Sequence, residues 1–294
     1  MISWQMDSGG WAKDNAQLYK RMWNGKESKA GGAGLEVATI DNDATVPELR
    51  FLIREYNRTQ ETFILESIYK GIDFLIEMQY TSGAYPQHYP LIKNSSVPYY
   101  DYATFNDNAT VMVLGFFRDI KYNKQRYGFL DEAYHKKIDN ALNKGIEFIL
   151  KSQIEANGVL TAWCAQHDPF TYEPKPGRSY ELVSISGLES VGITDFLISL
   201  KSNDPRIVKS IQSAKQWFKE VAVYDMAFYM NGKDGKYFIP TKNQIIWYRF
   251  YEIGTNKGFF ANRDGSKVYD IMEVKAERRH NYLWAGSWAK HLLE

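Results

Sequence analysis

Apolar residues recur with helical spacing over six stretches of the chain, residues 46–56, 60–79, 107–122, 131–153, 186–201 and 205–222. Polar and Gly/Pro-marked segments separate them, so the pattern predicts a mainly α protein. Two helix starts are written in side chains. Thr45-Val46-Pro47-Glu48 has the form of a capping box, with proline in the first turn where its missing N–H costs nothing. Asn106-Asp107 stands just before the apolar run 109–114 and offers a short carboxylate to the first-turn amides.

The chain also repeats itself. Lys70-Gly71-Ile72-Asp73-Phe74-Leu75, followed by Gln79 and Gly83, returns as Lys144-Gly145-Ile146-Glu147-Phe148-Ile149, followed by Gln153 and Gly158, an offset of 74 residues (144 − 70). That length holds two helical hairpins, and hairpins laid side by side around an axis give an (α/α) toroid, an incomplete helical barrel with loops at one end free to build a site. Past about residue 223 the pattern changes. Residues 224–230 and 245–251 look like short strands, with a turn signal at Asn231-Gly232-Lys233-Asp234-Gly235 between them. No Pro/Ser-rich linker intervenes, so the expectation is one domain: a helical toroid over about 40–222 with an irregular C-terminal third, 223–294, packed on it.

Composition narrows the partners. With 36 Lys+Arg against 35 Asp+Glu the net charge is +1, which leaves no global field for nucleic acid or an anionic membrane. An acidic ligand has to be gripped by a local cluster. The 15% aromatic content, with 8 Trp and 21 Tyr, suits flat amphipathic ligands such as sugars. Cys164 stands alone, which excludes an internal disulfide and a Cys-type zinc site, and it reads as a buried, inert thiol. No apolar run approaches the ~20 residues of a membrane span, and Met1-Ile2-Ser3-Trp4-Gln5 does not read as a signal peptide.

Asp, Arg, Gln/His and Trp recur together in segments that flank the helices, where functional groups are displayed. The carriers are Gly9-Gly10-Trp11, Thr39-Ile40-Asp41-Asn42, Asn106-Asp107, the run Thr161-Ala162-Trp163-Cys164-Ala165-Gln166-His167-Asp168, the Arg-x-Tyr-Glu run from Arg178 to Ser190, Arg249-Phe250-Tyr251, and Arg263-Asp264-Gly265. Jointly, from about Gly9 to Gly286, they resemble the family-ten polysaccharide lyases, pectate lyases with a helical toroid fold. The resemblance implies a secreted, monomeric enzyme that cleaves polygalacturonate by anti β-elimination with the help of Ca²⁺. It implies Arg178 as the base that removes the C5 proton, Asp107 as the calcium-bridging carboxylate, Asp41 as a second carboxylate sharing metal and substrate, and Arg263 as the clamp on the substrate carboxylate. Trp163, Gln166 and His167 are expected to line the sugar groove, and Lys175 and Arg249 to make secondary carboxylate contacts. The chain departs from the family pattern at Ala12, Tyr85, Asp43 and Asn108, and the last two alter the charge beside the calcium carboxylates.

Two other readings remain open on the residues alone. A glycoside hydrolase would use paired carboxylates, with Glu181 and Asp168 as candidates. A non-catalytic binder of acidic polysaccharide would keep the groove without the chemistry. Products separate them, because only a lyase makes a 4,5-unsaturated uronide.

Overall fold

The computed structural model of the chain describes residues 1–13, 15–30, 36–92, 97–232 and 236–294. It divides into two compact units, Met1–Phe148 and Ile149–Glu294. The helical class expected from the sequence is the one observed: the described residues form seven α-helices, joined by short strands in sheets of two to four, none closed into a barrel.

In the first unit, α1 (Val46–Thr59) and α2 (Thr62–Glu77) form one hairpin, and α3 (Ala109–Tyr122) leads into α4 (Glu132–Ser152), whose last turn passes into the second unit. The echo has a packing cause. A Cβ at Gly71 would meet Leu49 Cδ2 of α1 at 2.5 Å, and one at Gly145 would meet Leu114 Cδ2 of α3 at 2.3 Å, so each glycine admits a leucine from its partner helix. The preceding residues, Lys70 and Lys144, present carbonyls on which Gly9 and Gly83 rest. Both glycines sit at positive φ (99° and 98°), and a Cβ on either would fall within 2.2 Å of those oxygens.

Gln79 closes this turn, donating from Nε2 to the carbonyls of Gly83 (3.1 Å) and Ala141 (2.9 Å). Gln5 does the same toward Gly9 (2.6 Å) and Ser67 (2.9 Å), and in the second unit Gln153 does so toward Thr161 (2.8 Å) and Ser210 (3.1 Å). The repeat therefore has three copies at one offset of 74 residues (79 − 5, 153 − 79), where the sequence pattern displayed two.

Both predicted caps are corrected. Thr45 stands at the N-cap of α1 with φ 68°, and no side-chain hydrogen bond caps the helix. Its hydroxyl is used at longer range, accepting from the Trp11 N–H (3.0 Å) and donating to the Thr39 carbonyl (2.8 Å). Asp107 does not cap α3 either. It and Asn108 are left-handed (φ 49° and 61°), and Asp107 Oδ2 accepts from Asn106 Nδ2 at 2.7 Å.

In the second unit, α5 (Glu189–Ser199) is followed by α6 (Pro205–Glu220), which starts as helices prefer to start: Asp204 accepts from the Arg206 N–H and Pro205 fills the first turn. The expected strands follow, Val223–Phe228 pairing antiparallel with Phe238–Tyr248. Asn231 and Gly232 form part of the predicted turn, while 233–235 lie outside the described residues. A second sheet joins Ile185–Ser186, Phe250–Tyr251, Gly258–Ala261 and Lys267–Val268. An aromatic core of Tyr180, Tyr237, Phe250, Phe259, Phe260, Tyr282 and Trp284 fills this region. Cys164 is buried and its thiol pushed up by burial, the inert state expected. Among the described residues no helix is long and apolar enough to cross a membrane.

Candidate functional site

In the first unit the carboxylates expected to hold a cation sit on the turns that enter α1 and α3. Asp41 is buried; its Oδ2 pairs with Lys13 Nζ at 3.0 Å, and its Oδ1 is enclosed with no partner. The residues after it, Asn42 and Asp43, are left-handed (φ 49° and 57°), like the Asp107-Asn108 pair before α3. Non-glycine residues adopt this backbone at a cost, and Asn and Asp tolerate it best. Asp107 faces solvent. Among the described residues no group of three or more His, Cys, Asp or Glu could enclose a metal by itself. The exposed Asp107 carboxylate and the unsatisfied Oδ1 of Asp41 are each hard oxygen donors of the kind Ca²⁺ takes, and Ca²⁺ readily completes its shell with oxygens from outside the protein.

In the second unit, the chain brings arginines together that lie far apart in sequence. The Arg178 guanidinium lies 5.1 Å from the Tyr180 ring and 5.7 Å from that of Tyr282. Arg263 reaches Tyr180 at 5.5 Å, and Arg278 reaches both rings, at 4.7 and 5.4 Å. Aromatic faces stabilise such cations and keep planar guanidiniums stacked rather than scattered. Each arginine also meets a carboxylate. Arg178 donates to Glu181 through Nη2, and Arg263 grips Glu277 with a two-pronged contact from Nε (2.9 Å) and Nη2 (2.7 Å). The latter pair is exposed on both sides, so it holds the fork in shape at little energy. Asp264, the neighbour that could have bound Arg263, turns instead to Ser266 and Lys275. Sequence reasoning found Arg178 and Arg263 but missed Arg278 and Tyr282, whose approach depends on a return of the chain by about a hundred residues.

Burial alone would lower the Arg178 pKa, but the hydrogen bond and charge of Glu181 outweigh it and hold the guanidinium above its ordinary value. Glu181, which burial would raise, is held below the carboxylate range by Arg178. Asp168 is also held low, first by the Thr171 and Phe170 amides. Both shifts run downward, opposite to the upward shift a hydrolase's general acid needs.

Other expected groove residues are placed differently. Trp163 is wholly buried, its indole N–H given to the Ile149 carbonyl at 2.8 Å, and it offers no face to a sugar. His167 is buried too: Nε2 accepts from the Cys164 N–H (3.0 Å), so Nδ1 carries the proton and donates to the Tyr172 carbonyl (2.8 Å). These two residues hold the loop in place of lining a groove. Gln166 is buried on a strand that pairs with Lys175, and Lys175 stands near Asp168 (3.8 Å) and Glu173 (3.6 Å). Arg249 is buried against Glu189, a core pair and not an open contact for a substrate carboxylate.

Burial pushes His167 down to about 4, and in the first unit it does the same to His88, with Asp41 opposing and Lys13 reinforcing. Both imidazoles are neutral in the fold and protonate at ~6.5 when unfolded, so their contribution is complete above that value and is lost as pH falls toward 4. Urea unfolding should show stability dropping over this window by up to ~3 kcal/mol for each histidine, with a shallower fall in His167→Gln.

A sequence model of the family described as "Pectic acid lyase" matches residues 5–293. Among solved structures, a mutant of the family 10 polysaccharide lyase from Cellvibrio cellulosa in complex with trigalacturonic acid is similar at TM-score 0.87 and 34% identity, covering 99% of this chain and 88% of that one. A structure described as the family 10 polysaccharide lyase from the same organism is similar at TM-score 0.85 and 35% identity, over the same shares. No curated protein matches the chain.

Proposed function

Because the chain belongs to the pectic acid lyase family and is a polysaccharide lyase, we propose that it cleaves polygalacturonate by calcium-assisted anti β-elimination with Arg178 as the base. The observation that carries this reading is the gathering of Arg178, Arg263 and Arg278 around two tyrosine rings in a chain whose net charge is +1. Such a concentration of guanidiniums suits a polymer with a carboxylate on every sugar.

A uronate C5 proton is weakly acidic, and its removal drives negative charge onto the adjacent carboxylate, so groups that bind that charge lower the barrier. Arg263 takes the carboxylate in its planar fork, in exchange for Glu277. Arg178 accepts the C5 proton through a guanidinium nitrogen that has first given one up. The electrons of the C5–H bond form the C4–C5 double bond, the C4–O bond breaks on the opposite face, and the departing oxygen gains a proton. Asp107 would hold calcium together with substrate carboxylates, with Asp41 as a second acidic group. When bound, the ion supplies positive charge to the developing enolate. The enzyme acts as a monomer outside the cell, where pectic polysaccharide is found.

The test is the ultraviolet band of the 4,5-unsaturated product, followed on polygalacturonate at alkaline pH with added calcium or with chelator. Absorbance should grow with calcium and stall with chelator. New reducing ends without the band mean hydrolysis, retention on polygalacturonate without any product means a binder, and turnover indifferent to chelator removes calcium from the reaction.

A further inference from the structure

Glu181 carries an inference that rests on the reading of Arg178 as the base. Its carboxylate is buried and receives three donors: the Arg178 backbone N–H on Oε2 (2.9 Å), and Arg178 Nη2 and the Tyr282 hydroxyl (2.7 Å) on Oε1. The turn is also closed through its main chain, Gly177 N–H to Glu181 O (2.9 Å) and Glu181 N–H to Arg178 O (2.7 Å). Glycine at 177 leaves room for this carboxylate, since a Cβ there would lie 2.5 Å from Glu181 Oε2 and push it from its place. One carboxylate thus fixes both the backbone and one edge of the same arginine. Among the described residues the remaining guanidinium nitrogens make no hydrogen bond, and 43% of the Arg178 side chain is open to solvent.

We propose that Glu181 is the positioning residue of the reaction, clamping one edge of Arg178 so that the opposite edge is aimed at the substrate. A stem held at both backbone and head loses the freedom that a solvent-facing arginine otherwise has, and this is the orientation a proton transfer needs. The clamp also sets the charge balance. Arg263 and Arg278 share the Tyr180 ring with Arg178, and Arg249 lies 4.7 Å from the Tyr282 ring. These cations favour loss of a proton from Arg178, while Glu277 and Glu189 offset Arg263 and Arg249. Glu181 is the carboxylate in direct contact, and it opposes that loss. It therefore trades basicity at moderate pH for aim.

Two variants separate the roles, each checked for folding by circular dichroism and assayed for kcat and KM across pH by the ultraviolet band. Glu181→Gln keeps the length and removes the charge, so the rise of kcat/KM with pH should move to lower pH by about one to three units, the effect of one adjacent opposite charge. Glu181→Asp keeps the charge and withdraws the clamp, so the pH rise should stay while kcat falls by about 10²-fold with KM little changed. An unmoved pH rise in folded Glu181→Gln, or undiminished kcat in Glu181→Asp, overturns the proposal. Arg178→Lys distinguishes the two layers. If it keeps wild-type turnover, the base reading fails; if it is inactive while both Glu181 variants behave as wild type, the positioning role alone fails.

Discussion

Replacing Arg178 by alanine lowers kcat on polygalacturonate by about 10²- to 10⁴-fold, the range a positioned general base contributes. KM should change far less, since in the proposed reading Arg263 is the group that takes the substrate carboxylate, in exchange for Glu277. Initial rates at the ultraviolet band, fitted across substrate concentration, check both parts. The size of the effect follows from what the residue has to do. A guanidinium with a reference pKa of ~12.5 spends roughly 5 kcal/mol to become neutral at pH 9, and Glu181 adds to that cost. With Arg178 as the base, the neutral form it needs grows as pH rises, so activity in the parent enzyme should climb well into the alkaline range, while cations at the substrate carboxylate lower the barrier by making the C5 proton more acidic. Arg178→Lys should stay far below wild type although an amine gives up its proton more readily. An ammonium is a single point of charge, and it cannot hold Glu181 with one edge and address a sugar with the other.

The helices were legible because burial imposes a period: α1, α3 and α6 begin within two residues of the apolar runs that announced them. Their caps were not, because a hydroxyl such as that of Thr45 is free to serve a distant partner, and nothing local distinguishes a bond to Trp11 from a bond to its own helix. The copy at Gln5 was hidden because its closing bonds run to Gly9 and to the distant Ser67, a tertiary contact that no local motif announces, and in the copy at Gln153 the Glu155–Leu160 hairpin moves the accepting carbonyl from the expected Gly158 to Thr161. At the site, Arg178 and Arg263 were visible only through the family likeness of their motifs. Arg278 and Tyr282 belong to the same cluster through tertiary contact alone, which no spacing encodes. Trp163 and His167 mislead for a related reason: their residue types suit a sugar groove, but side-chain chemistry does not report exposure, and both are spent on holding their own loop.

Arg249 presents the same ambiguity, and stability resolves it. Its guanidinium and the Glu189 carboxylate are buried to 7% and 1% exposure, and Glu189 also receives the Ser186 hydroxyl. The pair ties α5 to the segment at 249, whose carbonyl accepts from the Gly187 N–H at 2.8 Å and whose N–H donates to Trp284 O at 2.8 Å. Arg249→Met leaves a carboxylate in the core without its counter-ion, and unfolding free energy should fall by about 3–5 kcal/mol, read from urea midpoints at constant m-value. Glu189→Leu should cost a similar amount by stranding the guanidinium. The double variant should be more stable than either single one, because the penalty of an uncompensated charge is gone while apolar side chains fill the space. A residue whose task was to grip substrate would behave in the opposite way, raising KM in the single variant with stability intact and gaining nothing from the second substitution.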